Sequence, residues 1–392
     1  MVTYRVGRRA VCKQQLRTKF LLKAVVVSMY KSFNIKHFRG LNDLTIEPTA
    51  QINLIAGANN VGKTAVLEAL WMHNAPNVPD TALRINRFRG LESIDPERLF
   101  YELFSNFDTD SQIEFSAQGD WGDNPRLLRL HLGDRVISEV PIRGVAEGPD
   151  YGGGASDSRE SRREIVLEST DETGEVSISS GYYVATQIGP GVVQEGFRSE
   201  RKSMGRRAQG VFLGARQPGG QQEAVKRLSG MIEKRRDQEV VDILRHIDPR
   251  IQHLSILTRS NVPTIFADLG GPQLFPVALL GDGTLRLLSI VLAVADSDGG
   301  MVLVDEIENG LYYQVMEQVW KAIGEMAIAS GVQLFATTHS EECLRAAHRA
   351  FSKTDEYHFR FHRLDRVNGE TRAVTYDQEM LETAIQSGLE AR

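Results

Sequence analysis

The sequence predicts an α/β protein in which a mixed sheet is flanked by helices. Three observations support this class. An apolar run at residues 52–56 leads into a glycine-rich loop and then into a helix-forming segment at 65–71. A continuous apolar run at 301–304 and a second strand pattern at 333–338 are each followed by polar side chains. Continuous apolar runs of this length are typical of parallel strands that are covered by helices on both faces.

The glycine-rich loop fills the pattern G-x-x-x-x-G-K-[ST], which cradles the phosphates of a nucleoside triphosphate. Its eight residues are Gly57, Ala58, Asn59, Asn60, Val61, Gly62, Lys63 and Thr64. The glycines let backbone N–H groups turn toward the phosphates at the positive end of the next helix. We expect Lys63 to meet the β- and γ-phosphates of ATP and the Thr64 hydroxyl to bind Mg²⁺. An ordinary glycine-rich turn would leave the flanking strand and helix unexplained.

Polar side chains follow the other two apolar runs. Asp305 and Glu306 end the first of them, and His339 follows the second. We expect Asp305 to hold Mg²⁺ directly or through water, and Glu306 to polarise the attacking water. A neutral imidazole at His339 is suited to hydrogen-bond the γ-phosphate or that water. Solvated acids and a packing histidine are the alternatives, and the neighbouring phosphate loop favours the functional interpretation.

A second glycine-rich turn precedes a helix that is apolar nearly all round. Its residues are Gly281, Asp282, Gly283 and Thr284. A loop of this kind at a helix N-terminus is a second candidate anion site. A tight turn before a core helix explains the same residues equally well.

In this order, these four motifs resemble the ATP-binding-cassette family, and more narrowly the RecF/SMC-like and OLD-like branch of AAA-type ATPases. Residues 30–41 are similar to the first hairpin of that branch, and Arg39 within them is a candidate ATP contact. Residues 305–311 resemble its Walker B motif and D-loop. The resemblance implies that two heads face each other, with each ATP between the phosphate loop of one head and residues 281–284 of the other. Gly281 stands where the family signature has serine.

We expect a P-loop NTPase fold of ABC-ATPase type in four segments. Residues 1–28 are a basic extension, expected to be disordered, and 29–118 form the first part of the ATPase core. Residues 119–250 are an insertion, which we expect to be a lid of loops and one helix over 221–247. Residues 251–392 complete the core with a hairpin and a helix, and His362 is expected on the surface of that hairpin rather than at a metal.

The composition limits the partners. The net charge is −5, so any contact with DNA is local. A basic cluster within the insertion is either a DNA contact or a solvated face, and it contains Arg198, Arg201, Lys202, Arg206 and Arg207. The two cysteines, Cys12 and Cys343, indicate a reducing compartment, which we expect to be the cytoplasm. We expect no contact with a membrane, because no apolar run reaches the length of a membrane span, and a transporter subunit would need a separate membrane partner.

The motifs therefore predict an ATP hydrolase that uses Mg²⁺, and the resemblance implies that it forms a homodimer or a higher oligomer on binding ATP. We expect it to drive DNA repair, DNA processing or phage defence through a partner, with a separately encoded nuclease or TOPRIM effector as the candidate. One alternative is an ATP-gated, non-catalytic scaffold for such a nuclease. Another is the ATPase subunit of a transporter, although roughly 220 residues between the phosphate loop and the second glycine-rich turn argue against the compact transporter type.

Overall fold

The computed structural model describes residues 29–89, 98–137, 160–189, 192–201, 210–215, 220–354 and 356–388. The basic extension 1–28 therefore lies outside the described residues. The strands are β1 (Tyr30–Phe38), β2 (Leu41–Ile46), β3 (Ile52–Gly57), β4 (Ile113–Gly119), β5 (Gly122–Ile137), β6 (Glu160–Thr170), β7 (Val176–Gly189), β8 (Val192–Arg201), β9 (Gly210–Leu213), β10 (His253–Arg259), β11 (Val262–Asp268), β12 (Phe275–Pro276), β13 (Met301–Val304), β14 (Gln333–Thr337), β15 (Phe359–Val367) and β16 (Glu370–Tyr376). The helices are α1 (Lys63–Asn74), α2 (Asp80–Phe88), α3 (Arg98–Tyr101), α4 (Gln221–Glu233), α5 (Asp237–Leu244), α6 (Asp282–Asp296), α7 (Met316–Ala329), α8 (Glu341–Phe351) and α9 (Gln378–Gln386).

The central sheet has six strands in the order β16-β15-β3-β14-β13-β9. All neighbours are parallel except β15 and β16, so the predicted mixed sheet is confirmed. Every residue of β3, β13 and β14 is buried, which explains why these segments are mostly apolar in the sequence. Because parallel strands end at the same edge, the phosphate loop, the two acids and the histidine all emerge together.

A second sheet of seven antiparallel strands lies on the other side of α1, in the order β2-β1-β4-β5-β6-β7-β8. One apolar core joins this sheet, α1 and the central sheet, and Val66, Leu70, Phe115 and Phe335 belong to it. The helix is therefore buried on nearly every side, and its buried residues include polar ones such as Glu68 and His73. A three-stranded antiparallel sheet, β10-β11-β12, completes the strands of the described part.

Much of the insertion is strand where the sequence indicated loop. Strands β5 to β8 continue the antiparallel sheet, and side chains such as Leu128, Leu130, Ile165 and Leu167 are buried in its core. Residues 126–130 of β5, 165–169 of β6 and 177–181 of β7 bury alternate side chains, a period of two that the glycines, serines and charged residues of the insertion make hard to see in the sequence. Residues 152–154 and 157–159, a glycine run and a polar run within the insertion, lie outside the described residues. The segment boundaries at 118 and 250 stay a prediction.

The single helix expected over 221–247 is two helices, α4 and α5. The chain breaks between them at Arg235, whose φ is +56°, a value that an α-helix does not contain. Both helices bury apolar side chains in the core that α6 also lines, including Leu228, Met231, Val241 and Leu244. They are packed into the body of the molecule rather than forming a separate lid.

The hairpin expected near the end of the described chain turns at Asn368 and Gly369, which is a hairpin signal in sequence, and both residues have positive φ. The prediction for His362 was wrong. It is fully buried, because β15 lies beside β3 inside the sheet rather than at its surface. Its Nδ1 lies 2.9 Å from the Thr375 hydroxyl and its Nε2 lies 3.3 Å from Asn53 Oδ1. No helix in the described part of the chain is long and apolar enough to cross a membrane.

Candidate nucleotide site

The phosphate loop connects β3 to α1, and its glycines adopt conformations that other residues rarely reach. Gly57 has φ +146° and Gly62 has φ +107°. A Cβ atom at Gly57 would collide with the carbonyl oxygen of Leu364 on β15, so the close approach of the neighbouring strand also requires glycine. The loop carbonyl of Val61 accepts a hydrogen bond of 3.1 Å from Thr371 on β16. The C-terminal hairpin therefore supports the loop from the side.

Lys63 is folded back over the loop. Its Nζ donates hydrogen bonds to the carbonyl oxygens of Gly57 at 2.8 Å and Ala58 at 2.9 Å. Burial lowers the pKa of Lys63, while the nearby carboxylates of Asp305 and Glu306 oppose this shift. The ammonium group therefore lies inside the curl of the loop, where a bound phosphate is surrounded by backbone N–H groups.

Thr64 and Asp305 meet although 241 residues separate them in the chain. The Thr64 hydroxyl lies 3.1 Å from both carboxylate oxygens of Asp305, and the Thr337 hydroxyl lies 2.6 Å from one of them. Burial raises the pKa of Asp305, and the hydrogen bonds from the two threonines oppose that shift. A hydroxyl and a carboxylate are hard oxygen ligands of the kind that Mg²⁺ prefers.

Glu306 and His339 form a pair beside this acid. His339 Nε2 lies 3.1 Å from Glu306 Oε1, and about one third of each side chain is exposed. Glu306 has φ +49°, and its N–H donates to the Thr337 hydroxyl at 2.8 Å. The unusual backbone turns the Glu306 side chain away from the direction of Asp305, which explains how adjacent acids take different positions. The pair is open to a ligand from the solvent side.

Sequence reasoning missed several residues that hold this site together. Arg286 is buried on α6, donates to the carbonyl oxygen of Gly214 at 2.9 Å and also bonds the carbonyl of Asp305. Thr337 links Asp305 to Glu306, as described above. The signals were present, since an arginine interrupts an otherwise apolar helix and a threonine ends an apolar strand. Neither signal identifies its partner, because the contacts join distant parts of the chain.

The second glycine-rich turn starts α6, with Gly281 at φ +106°. Gly281 and Asp282 are exposed, whereas Thr284 is 2 % exposed. A Cβ atom at Gly283 would collide with the carbonyl oxygen of Gly310, so this turn packs directly on the segment that follows the two acids. The predicted contact with a partner's ATP stays a prediction, and burial of Thr284 leaves the preceding three residues to make it.

Arg39 lies in the turn between β1 and β2 and has φ +53°. Its Nε lies 2.7 Å from the Glu68 carboxylate, and its guanidinium also donates to Asn86 Oδ1 at 2.8 Å. Glu68 is 1 % exposed, lies on α1 one turn beyond Thr64, and also binds Arg89 at 2.7 Å. The predicted contact between Arg39 and ATP stays a prediction.

The basic cluster is described only in part. Arg198 and Arg201 are exposed on β8, whereas Lys202, Arg206 and Arg207 lie outside the described residues. In the described part of the chain, no group of three or more histidine, cysteine, aspartate or glutamate side chains has the arrangement of a metal site. The predicted magnesium ligands Thr64 and Asp305 lie side by side, and their binding of the ion stays a prediction.

Two family models match the chain. Residues 199–345 match the family described as "AAA domain, putative AbiEii toxin, Type IV TA system", and residues 32–117 match a second AAA domain family. An ATP/GTP phosphatase of Helicobacter pylori is 22 % identical over 352 residues, which cover 84 % of this chain and 90 % of that protein. The DNA replication and repair protein RecF of Idiomarina loihiensis is 38 % identical over 42 residues, which cover 11 % of this chain and 12 % of that protein.

Among solved structures, the chain is similar to an SMC head domain from Pyrococcus furiosus bound to the C-terminal domain of ScpA. The two chains are 11 % identical with a TM-score of 0.47, and the match covers 92 % of this chain and 99 % of that one.

Proposed function

We propose, since the chain belongs to the RecF/SMC-like branch of the AAA-type ATPases within the ABC superfamily, that it hydrolyses ATP with the help of Mg²⁺. The observation that carries this proposal is the meeting of Thr64 with Asp305 at 3.1 Å, beside the Lys63 ammonium. These groups are what a phosphate loop and a Walker B acid contribute to a triphosphate site. The Helicobacter pylori relative is named an ATP/GTP phosphatase, which supports the same class of reaction.

The residues of the site fit a magnesium ion. Thr64 and Asp305 would hold it, since both provide hard oxygen ligands. Among the described residues, the hydrogen-bond partners of the Asp305 carboxylate are the Thr64 and Thr337 hydroxyls, and no lysine or arginine lies within hydrogen-bonding distance of it. When bound, the ion would neutralise negative charge on the β- and γ-phosphate oxygens. Thr337 keeps the Asp305 carboxylate in place through its 2.6 Å hydrogen bond.

The remaining groups divide the chemistry between them. Lys63 provides a positive charge for the phosphates when its ammonium leaves the loop carbonyls. Glu306 orients the attacking water and accepts its proton, because its carboxylate is partly exposed beside the phosphate loop. His339 Nε2, at 3.1 Å from Glu306 Oε1, can donate to that carboxylate or, in its place, to the γ-phosphate. Water attack then breaks the bond between the γ-phosphorus and the bridging oxygen and releases ADP and phosphate.

Nucleotide binding tests the first step. We expect the purified chain to bind a fluorescent ATP analogue in the presence of Mg²⁺, and Lys63→Ala to reduce the affinity at least about tenfold, because a buried cation in contact with the phosphates is lost. Lys321→Ala, which removes an exposed lysine from α7, is the matched control. Competition between GTP and the ATP analogue measures whether the site prefers adenine or guanine. Equal affinity of the two variants would contradict the assignment of the phosphate loop.

The dimer is a proposal that the exposed surface supports. Gly281 and Asp282 are exposed where α6 begins, and the nearby Tyr312 and Tyr313 are 58 % and 56 % exposed. Such large exposed aromatic side chains are typical of interfaces. We expect the solution mass of Glu306→Gln, measured by light scattering, to double with ATP and Mg²⁺. An unchanged mass would contradict the proposal that residues 281–284 contact the ATP bound to a partner copy.

We further propose that the ATP state acts on DNA repair, DNA processing or phage defence through a partner such as a nuclease. The exposed Arg198 and Arg201 support a local DNA contact on β8. Fluorescence anisotropy with a labelled DNA duplex should show weaker binding for the double variant Arg198→Ser, Arg201→Ser. The salt dependence of its binding constant should also be less steep, by about one or two phosphate contacts. Arg250→Ser, at another exposed arginine, is the control. Identical affinities would remove the basic cluster from the proposal.

A further inference from the structure

The carboxylate of Glu306 is held on both of its oxygens. Oε1 lies 3.1 Å from His339 Nε2, and Oε2 accepts a hydrogen bond of 2.8 Å from the side-chain amide of Asn309. The Asn309 amide reaches back across a tight turn, which the Asn309 N–H closes on the Glu306 carbonyl oxygen at 3.1 Å. A carboxylate has about four lone-pair positions. Lone pairs on both oxygens therefore remain for water.

The main chain under this carboxylate is fixed. The Glu306 N–H donates to the Thr337 hydroxyl at 2.8 Å, and the Ile307 N–H donates to the Thr337 carbonyl oxygen at 3.0 Å. These bonds hold Glu306 at φ +49°, in the left-handed region. The freedom that remains is rotation of the side chain, so the two side-chain contacts decide where the carboxylate points.

The same turn also fixes the histidine. Glu308 Oε1 accepts a hydrogen bond of 2.7 Å from the His339 N–H. Its other oxygen is buried and has no hydrogen-bond partner among the described residues. The turn thus holds His339 by its main chain through Glu308 and by its ring through Glu306. Asn309 is the remaining polar side chain of the turn, and among the described residues its amide donates a hydrogen bond to Glu306 alone.

We propose that Asn309 is a positioning residue for the hydrolysis proposed above, on which this inference rests. Its amide holds the Glu306 carboxylate at the angle from which one oxygen contacts His339 while both oxygens keep lone pairs for the attacking water. In the described part of the chain, the Asn309 side chain makes no hydrogen bond to the phosphate loop. Loss of the amide therefore lowers kcat for ATP and leaves KM unchanged.

The test combines Asn309→Leu with Glu306→Gln in a double-mutant cycle. Leucine has nearly the shape of asparagine and lacks the donor. We expect Asn309→Leu to lower kcat by about ten- to a hundredfold, the cost of a misplaced catalytic group, with KM and the affinity for a fluorescent ATP analogue unchanged. In the Glu306→Gln background, the same substitution should change the residual phosphate release less than twofold. Asn124→Leu, at an exposed asparagine of β5, controls for the substitution itself.

The outcomes separate this inference from the proposed function. Turnover by the unmodified protein together with unchanged turnover in Asn309→Leu overturns the positioning role and leaves the hydrolysis proposal in place. A parallel loss of ATP affinity and kcat, or the same fold-loss in both backgrounds, also overturns it, because the substitution would then act through the fold. The absence of turnover in the unmodified protein overturns the proposed function and this inference together.

Discussion

The buried His362 makes a specific prediction about stability in acid. Burial lowers its pKa to about 3, from an ordinary value of 6.5. The unfolded chain therefore binds a proton between these two values that the folded protein does not bind. Stability from this group is complete above the unfolded pKa and is lost as the pH falls toward the folded pKa.

The magnitude follows from the shift. Each pH unit in this window costs about 1.4 kcal/mol, so the folded protein loses about 3 kcal/mol from His362 between pH 7.5 and pH 4.5. His362→Gln removes the titration while its amide can still donate to Asn53. We expect it to cost about 1 kcal/mol at pH 7.5, where one hydrogen bond is lost, and to be the more stable protein at pH 4.5.

Urea unfolding followed by circular dichroism at both pH values measures the effect. His358→Gln is the matched control, because this nearby histidine is about one third exposed and its only described ion pair joins the exposed Glu356. We expect the His358→Gln protein to keep the loss of stability in acid that His362 causes. If His362→Gln lost as much stability between pH 7.5 and pH 4.5 as the unmodified protein does, the argument that burial keeps this ring neutral would be refuted.

Two further predictions concern the contacts that α6 makes with Asp305 and with the turn that follows Glu306. Arg286→Met leaves the carbonyl oxygen of Asp305 without its buried donor and should lower the free energy of unfolding in urea at pH 7.5 by about 3 kcal/mol. An unchanged midpoint of urea unfolding would show that this hydrogen bond contributes nothing to stability. Gly283→Ala places a methyl group against the carbonyl of Gly310 and should lower stability by about 1–3 kcal/mol and reduce ATP turnover. Gly230→Ala has open space around it within α4 and should instead stabilise the protein by up to about 1 kcal/mol, so equal effects of the two alanines would contradict the steric argument.

The features that the sequence could predict are those that depend on residues close together in the chain. The phosphate loop is a contiguous pattern, and the strand before it and the helix after it have their own local signals. The acids and His339 follow buried strands directly, so the rule that parallel strands end at one edge was sufficient to group them with Thr64. The hairpin turn at Asn368 is likewise a local signal.

The parts that the sequence could not predict depend on distant contacts or on weak periodicity. Thr337 and Arg286 bind groups of other elements, and no local pattern names those partners. The strands of the insertion were hidden because one face of each is rich in polar residues and glycine, which also suit loops. His362 reads as a strand-surface residue until the position of β15 inside the sheet is known, because alternation shows two faces without showing which of them is covered.

Steady-state phosphate release is the measurement that tests the central claim most directly. We predict slow, Mg²⁺-dependent release of phosphate from ATP by the unmodified protein, and a loss of at least about a hundredfold in Glu306→Gln, which should still bind the fluorescent ATP analogue. Full turnover in Glu306→Gln would contradict the role of Glu306 as the group that activates water. Tight ATP binding without phosphate release from the unmodified protein would instead identify a scaffold that ATP binding alone controls.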